Sequence, residues 1–169
     1  MTQTTQQLPG GKSTITPYVV VKGVARFLDF VEHTFEVRTS LRVPNQDGTI
    51  GHAEVTVGHS VLMTFDASPE WPDTPSFLSV YVDDVDKTYA RALDAGATVV
   101  THLMYSGITG DRGCRVKDPV GNIWWLQTHL QDVDPATLPD LFANPTELAT
   151  IREAQQSFAT EMHTRSTNH

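Results

Sequence analysis

One cysteine, Cys114, is all the chain carries, so no internal disulfide can close a small fold. That usage fits a reducing cytoplasm. Long apolar runs are missing as well. Nothing approaches the roughly 18 consecutive apolar residues that would span a bilayer. The first thirteen residues are polar and rich in Gln and Thr. They lack the apolar stretch of a secretory signal and read as a disordered tail. Positive charge is scarce: 12 Lys and Arg stand against 20 Asp and Glu, a net charge of −8. Binding to nucleic acid or to an anionic membrane needs clustered cations, so both partners are excluded. A neutral or cationic small molecule suits this balance better than a polyanion.

What is present is enough for a core. Apolar residues make up 39% of the 169 positions, which fits one domain or a pair of small modules. An internal repeat favours the pair. Val21-Lys22-Gly23-Val24 followed by Arg26-Phe27-Leu28 parallels Val82-Asp83-Asp84-Val85 followed by Lys87-Thr88-Tyr89. Each copy runs from an apolar strand through a turn into a helix-like pattern. Each then meets a strand near Gly51–Val55 or Gly113–Lys117, and closes on Gly58–Phe65 or Gly121–Gln127.

In the first copy the pattern predicts a strand over Ile15–Val21, with Pro17 near its start, where a missing N–H is tolerated. A helix follows over Val24–His33, with Val24, Phe27, Leu28 and Val31 at helical spacing. A short strand over Leu41–Val43 leads to an Asp47-Gly48 turn. Ile50–Val57 alternates, with Ala53 and Val55 on one face and His52 and Glu54 on the other. Asp66–Ser76 contains Pro69, Pro72 and Pro75 and reads as a linker. In the second copy, Phe77–Val82 precedes a helix to about Ala95 whose buried stripe is Val85, Tyr89, Ala92 and Leu93. Strands over Thr98–Leu103, Arg112–Lys117 and Ile123–Thr128 follow, with Tyr105–Gly110 as a loop and Asp118-Pro119-Val120-Gly121-Asn122 as a turn. Beyond Asp132, Leu148, Ile151, Gln155, Phe158 and Met162 recur at helical intervals. They predict an amphipathic helix over Thr146–His163 that covers the parent sheet or a second chain.

Five segments together resemble the vicinal oxygen chelate superfamily of glyoxalases, bleomycin-resistance proteins and extradiol dioxygenases, and its PhnB-like group in particular. They are Ile15-Thr16-Pro17-Tyr18, Gly48–Glu54, Val82–Asp86, Gly110-Asp111-Arg112, and Asp118-Pro119-Val120-Gly121-Asn122-Ile123-Trp124. The resemblance implies an α+β fold: two tandem βαβββ modules, about 15–66 and 76–130, within a domain spanning 14–133. A curved mixed sheet would surround a cavity, and residues 134–169 would form a C-terminal helical extension. Metal-dependent members hold one divalent ion with His and Glu at four strand positions. Those positions here carry Thr16, Met63 (or a register shift to Leu62), Phe77 and Trp125. Thr, thioether and aromatic groups cannot hold such an ion, so the resemblance implies no metal and no cofactor.

Strand parity places Tyr18, Met63, Phe77, Ser79, Tyr81, Trp125 and Gln127 on the faces of the lost ligands. Aromatic faces stack on planar ligands, and Met adapts to irregular shapes. The expectation is a metal-free small-molecule binding protein whose aromatic cup takes a planar or amphipathic ligand, acting as a cytoplasmic homodimer. Filling of the core by the same side chains is the plain alternative. A second functional class is a metal-independent isomerase, lyase or cyclase with His52 and Glu54 as an acid–base pair. A solvent-facing salt pair would also account for those two residues. A divalent-metal glyoxalase or dioxygenase ranks third. His33, His59, His163 and His169 read as solvated, His102 as a rim residue, and His129 as a strand cap or partner contact. Cys114, near Arg112 and Arg115, is either an activated thiol or a buried small apolar residue. Asp111 and Arg112 read as a charged loop pair that either holds the loop closed or contacts a ligand.

Overall fold

The computed structural model describes residues 12–166, so most of the expected tail and His169 fall outside the described residues. Two compact units, Met1–Pro75 and Ser76–His169, each carry a complete module.

In the first unit, strand β1 (Tyr18–Val21) leads into helix α1 (Val24–Phe35), followed by β2 (Thr39–Pro44), β3 (Ile50–Val57) and β4 (Ser60–Asp66). The sheet order is β1-β4-β3-β2, with β1 parallel to β4 and the remaining pairs antiparallel. The β1 strand is shorter than the Ile15–Val21 expected. Pro17 has no N–H to offer, and its carbonyl accepts the Met63 N–H at 3.0 Å, where pairing begins. Val24, Phe27, Leu28 and Val31 are buried on α1, and Val19, Ala53, Val55 and Leu62 are buried on the sheet. Asp66 is no linker residue. It ends β4, and its Oδ1 accepts the Gly23 and Val24 N–H groups at the start of α1. A carboxylate there satisfies orphan donors and complements the helix dipole. Its Oδ2 accepts the Ile50 N–H at 2.7 Å, tying β3 to the same point. Residues 67–76 form neither helix nor strand.

The second unit repeats the plan with β5 (Phe77–Tyr81), α2 (Val85–Asp94), β6 (Thr98–Ser106), β7 (Asp111–Lys117) and β8 (Ile123–His129). The order β5-β8-β7-β6 matches that of the first sheet. Asp84 caps α2 by accepting the Lys87 N–H. The buried α2 stripe includes Val85, Thr88 and Ala92, while Leu93 is exposed. Leu93 lies one residue, or about 100°, beyond Ala92 and so rotates off the stripe. Both β6 and β7 run longer than expected, since Tyr105 pairs with Arg112 and Ser106 with Asp111.

The Asp118–Asn122 turn is a cross-linked knot. Asp118 Oδ1 accepts the Val120 and Asn122 N–H groups, and Oδ2 accepts Asn122 Nδ2 and Trp124 Nε1. Asn122 Oδ1 in turn accepts the Ser76 N–H, fixing the entry to β5. Gly121 supplies the φ of 99° that the turn requires. Trp124 is thereby held with 0% exposure, its indole N–H satisfied.

After a short 3-10 turn, α3 (Leu138–Ala143) and α4 (Pro145–Ser166) complete the chain. Helix α4 packs in cis on β6. Its seat differs from the expected apolar stripe, because Gln155 and Met162 are exposed. Glu147 Oε2 accepts the Gly107 N–H, Ser157 Oγ lies 2.7 Å from Thr101 Oγ1, and Glu161 pairs with Lys117. Arg165 donates to the Gly121 carbonyl at 2.7 Å. Among these polar contacts Phe158 is the main apolar anchor, packed edge-on against Phe77 at 5.4 Å between centroids.

Candidate functional site

Each sheet has one face under its own helix and one face turned the other way. Register decides which side chains share the second face. In the first unit Tyr18 pairs with Met63, and Met63 with Glu54. These three therefore form one row, with His52 and Phe65 in the neighbouring row. Leu62 is buried on the opposite side, which assigns the row position to Met63.

A hydrogen-bonded chain crosses this face. Tyr18 Oη lies 3.0 Å from His52 Nδ1, and His52 Nε2 lies 3.1 Å from Glu54 Oε1. Lys12 Nζ closes the chain at 2.7 Å from the same Glu54 oxygen. With its proton on Nε2, a neutral His52 accepts from the phenol and donates to the carboxylate. Hydrogen bonds from Lys12 and then His52 hold the Glu54 carboxyl below its ordinary value. Such a chain can relay a proton between a phenol and a carboxylate. Thr16 lies apart from it, its hydroxyl donating to the Ser13 carbonyl.

In the second unit, Ser79 pairs with Trp125 and Tyr81 with Gln127 across β5 and β8. Arg115 pairs with Trp125, and Gly113 with Gln127, across β7 and β8. Phe77, Ser79, Tyr81, Trp125, Gln127, Arg115 and Asp111 thus share one face. Ser79 is occupied in accepting from Gln127 Nε2 at 2.8 Å. Tyr81 is largely exposed, yet its hydroxyl donates to Asp111 Oδ2 at 3.0 Å. Burial, and then that carboxylate, push the Tyr81 phenol above its ordinary value.

Helix α4 roofs part of this face and forms one wall of a half-open cavity of about 250 Å³. Trp125, Gln127, Arg115, Gly113 and Asp111 come from β7 and β8, Met104 from β6, and Ile151 and Ala154 from the helix. Gly113 leaves the floor clear, since a Cβ there would meet the Leu126 carbonyl at 2.9 Å. The Arg115 guanidinium lies 4.5 Å above the Trp125 ring centre and 5.4 Å from that of Phe158. Burial pulls its pKa down, though a guanidinium stays charged.

At one edge of the cavity Asp111 Oδ1 lies 2.7 Å from His129 Nδ1, and His129 Nε2 lies 3.0 Å from Asp132. Hydrogen bonds to Asp111 and then Asp132 raise the His129 pKa. An imidazole flanked by two carboxylates is best satisfied as the cation. Asp111 is therefore no loop partner of Arg112. Alternation sends Arg112 to the other face, where it makes a two-pronged bond to Asp86. Alternation also turns the Cys114 side chain to the helix side of the sheet, opposite to Gly113 and Arg115. It is buried, and burial pushes its thiol up to about 12, so it is not an activated nucleophile. His33, His59, His102 and His163 are exposed.

Arg115, Phe158 and His129, the partner of Asp111, join the face although none of the three was expected on it. Arg115 had a usable signal, for it stands two residues after Gly113 on the parity that faces Trp125. Phe158 was legible as part of the helical stripe, but helical periodicity does not say what a helix covers.

Thr16, Met63, Phe77 and Trp125, the positions at which the resemblance implies metal ligands, carry a hydroxyl, a thioether and two aromatic rings. That donor set does not fit a divalent ion. Among the described residues no group of three or more His, Cys, Asp or Glu is arranged to hold one.

Paired βαβββ modules in the order shown define the vicinal oxygen chelate architecture. A family model described as the Glyoxalase/Bleomycin resistance protein/Dioxygenase superfamily matches residues 14–126, and the chain belongs to that superfamily. It is 34% identical over 131 residues to the uncharacterized protein Rv0887c of Mycobacterium tuberculosis, covering 71% of this chain and 76% of that one. TioX from Micromonospora sp. ML1 is similar at 29% identity with a TM-score of 0.59, over 70% of this chain and 99% of TioX. A PhnB protein from Bacillus cereus shares the fold at 15% identity and a TM-score of 0.54, over 69% of this chain and 99% of that one. Helix α4 lies beyond the residues that the family model matches. No helix among the described residues is long and apolar enough to cross a membrane.

Proposed function

We propose that the protein is a metal-independent small-molecule binding protein that takes a planar or amphipathic organic ligand on its aromatic sheet face. It would work in the cytoplasm, as a homodimer. The observation that carries this reading is Trp125. It stands where metal-dependent relatives have a ligand-bearing Glu, and it lines the cavity of about 250 Å³. A volume just below the roughly 300–1,000 Å³ usual for ligand pockets suits a small ring system. Aromatic and thioether surface gives affinity without the charge that a metal site needs. Native mass spectrometry of the purified protein tests the reading. A retained ligand of unchanged mass, lost in Trp125→Ala, is the expected result. A ligand chemically altered during incubation would overturn pure binding.

A metal-independent isomerase, lyase or cyclase is the second reading. The Tyr18–His52–Glu54 chain favours it, because a phenol, an imidazole and a carboxylate in series can donate and accept a proton. Turnover of a bound ligand that is abolished in both His52→Ala and Glu54→Gln would move the assignment to this class.

A further inference from the structure

Arg115 stands apart from Lys117, Arg165 and Arg112. Lys117 and Arg165 share Glu161, and Arg112 has Asp86. Asp111 is engaged by His129 and Tyr81. Arg115 has no carboxylate partner among the described residues. Its Nη1 donates to Thr101 Oγ1 at 3.3 Å and to the Ala154 carbonyl at 2.8 Å, neither of which neutralises the charge. Its Nε is buried, and neither Nε nor Nη2 has an acceptor among the described residues. A half-buried guanidinium with unspent donors is unfavourable unless something pairs with it. Beside it, the Trp125 indole N–H also lacks an acceptor among the described residues, and both side chains line the cavity.

We propose that the cavity beneath α4 binds a planar molecule bearing a carboxylate, with Arg115 receiving the charge and Trp125 the ring. This rests on the reading of the cavity as a ligand site and adds the class of ligand. Arg and carboxylate match in geometry, and a charge-assisted bond is about twice as strong as a neutral one. The remaining lining is largely apolar, with Met104, Ile151 and Ala154 suited to the body of such a ligand. A cavity of about 150 Å³ already admits a benzene ring, so 250 Å³ leaves room for a second fused ring. The overall charge of −8 does not oppose this. Exposed charges beyond a Debye length of about 8 Å are screened, whereas Arg115 acts at contact.

Naphthalene-2-carboxylate and its neutral amide, naphthalene-2-carboxamide, make the test, titrated into the full chain and followed by the NMR signal of the Trp125 indole N–H. The carboxylate is expected to bind at least about tenfold more tightly than the amide, or about 1.4 kcal/mol. Arg115→Gln is expected to bring the ratio close to one, and Arg115→Lys to retain most of it. A role for Arg115 in folding alone would lower both affinities and leave the ratio unchanged. If Arg115→Gln does not fold, the wild-type ratio, the Trp125 shift and Arg115→Lys decide. Equal binding of the two compounds overturns the carboxylate anchor and leaves the ligand site standing. Binding that leaves the Trp125 signal unmoved also overturns the anchor. Failure of both compounds to bind at millimolar concentration overturns the anchor and the ligand site together.

Discussion

The two modules share a sheet order and a strand register, yet they treat the face away from their own helix differently. In the first, that face carries a polar chain from Tyr18 through His52 to Glu54, with Tyr18 45% exposed. In the second, α4 lies across the same face and leaves a cavity floored by Trp125, Gln127 and Arg115. A duplicated frame therefore tolerates two chemistries, because cup-side residues contribute little to the core under α1 or α2. The first face offers proton-transfer groups in reach of solvent. The second offers ring surface and, in partial shelter, a cation with no carboxylate partner among the described residues, where electrostatic contacts are stronger.

Substitution at the adjacent tryptophans should separate frame from cup most sharply. Trp124→Ala removes a fully buried ring and a hydrogen bond to Asp118. It is expected to cost about 3–5 kcal/mol in denaturant unfolding. Trp125→Ala should cost less than half as much and abolish ligand binding. The reverse ranking would mean that Trp125 is a core residue and that the contrast between the faces is mistaken.

Next in size is the roof. Phe158→Ala removes the ring packed on Phe77 and beside Arg115. The side chain is only partly buried, so about 2 kcal/mol is the expected loss in thermal stability. A melting curve identical to that of the parent chain would show α4 to be an independent appendage. The polar seat adds a pH dependence. Burial pushes Glu161 up, but hydrogen bonds from Lys117 and Arg165 outweigh it and hold the carboxyl below its ordinary value of 4.5. A lowered folded-state pKa stabilises docking above that value, and the contribution disappears as pH falls through the folded pKa. Glu161→Gln should flatten that acid limb.

On the open face the effects should be smaller. His52→Ala interrupts a partly exposed chain and is expected to cost about 0.5–1 kcal/mol. It should leave naphthalene-2-carboxylate binding in the second module unchanged. A loss of that binding, measured by the same titration, would mean that the two faces work as one site.

The smallest effect concerns His129. Asp111, and then Asp132, raise its folded-state pKa above 6.5. Its contribution to stability is complete below the unfolded value of 6.5 and is lost as pH climbs through the raised folded value. A shallow fall in melting temperature on that alkaline side, absent in His129→Gln, is the expected observation.

Most of the frame was legible in the sequence, because local rules dictate it. The spacing of Val24, Phe27, Leu28 and Val31 could only be an amphipathic helix, and the alternation of Ala53 and Val55 with His52 and Glu54 only a half-buried strand. Asp118 and Asn122 announced the turn, and parity set Trp125 against Trp124. Strand ends were less legible, as Pro17 and Ser106 show, since pairing partners distant in sequence decide where a ladder stops. The site was legible only as a set of faces. That Asp66 caps α1, that Asp111 faces His129 and not Arg112, and that Cys114 is buried all depend on strands meeting across the fold.

The chain's own pattern thus determined two βαβββ modules and their inner and outer faces, which follow from periodicity and residue chemistry. Tertiary structure alone decided that α4 folds back on its parent sheet, that Phe158 rather than Met162 anchors it, and that Arg115 has no countercharge among the described residues. Helical periodicity specifies a stripe but not its partner, and a charge is compensated or not only by what distant segments bring within a few ångströms.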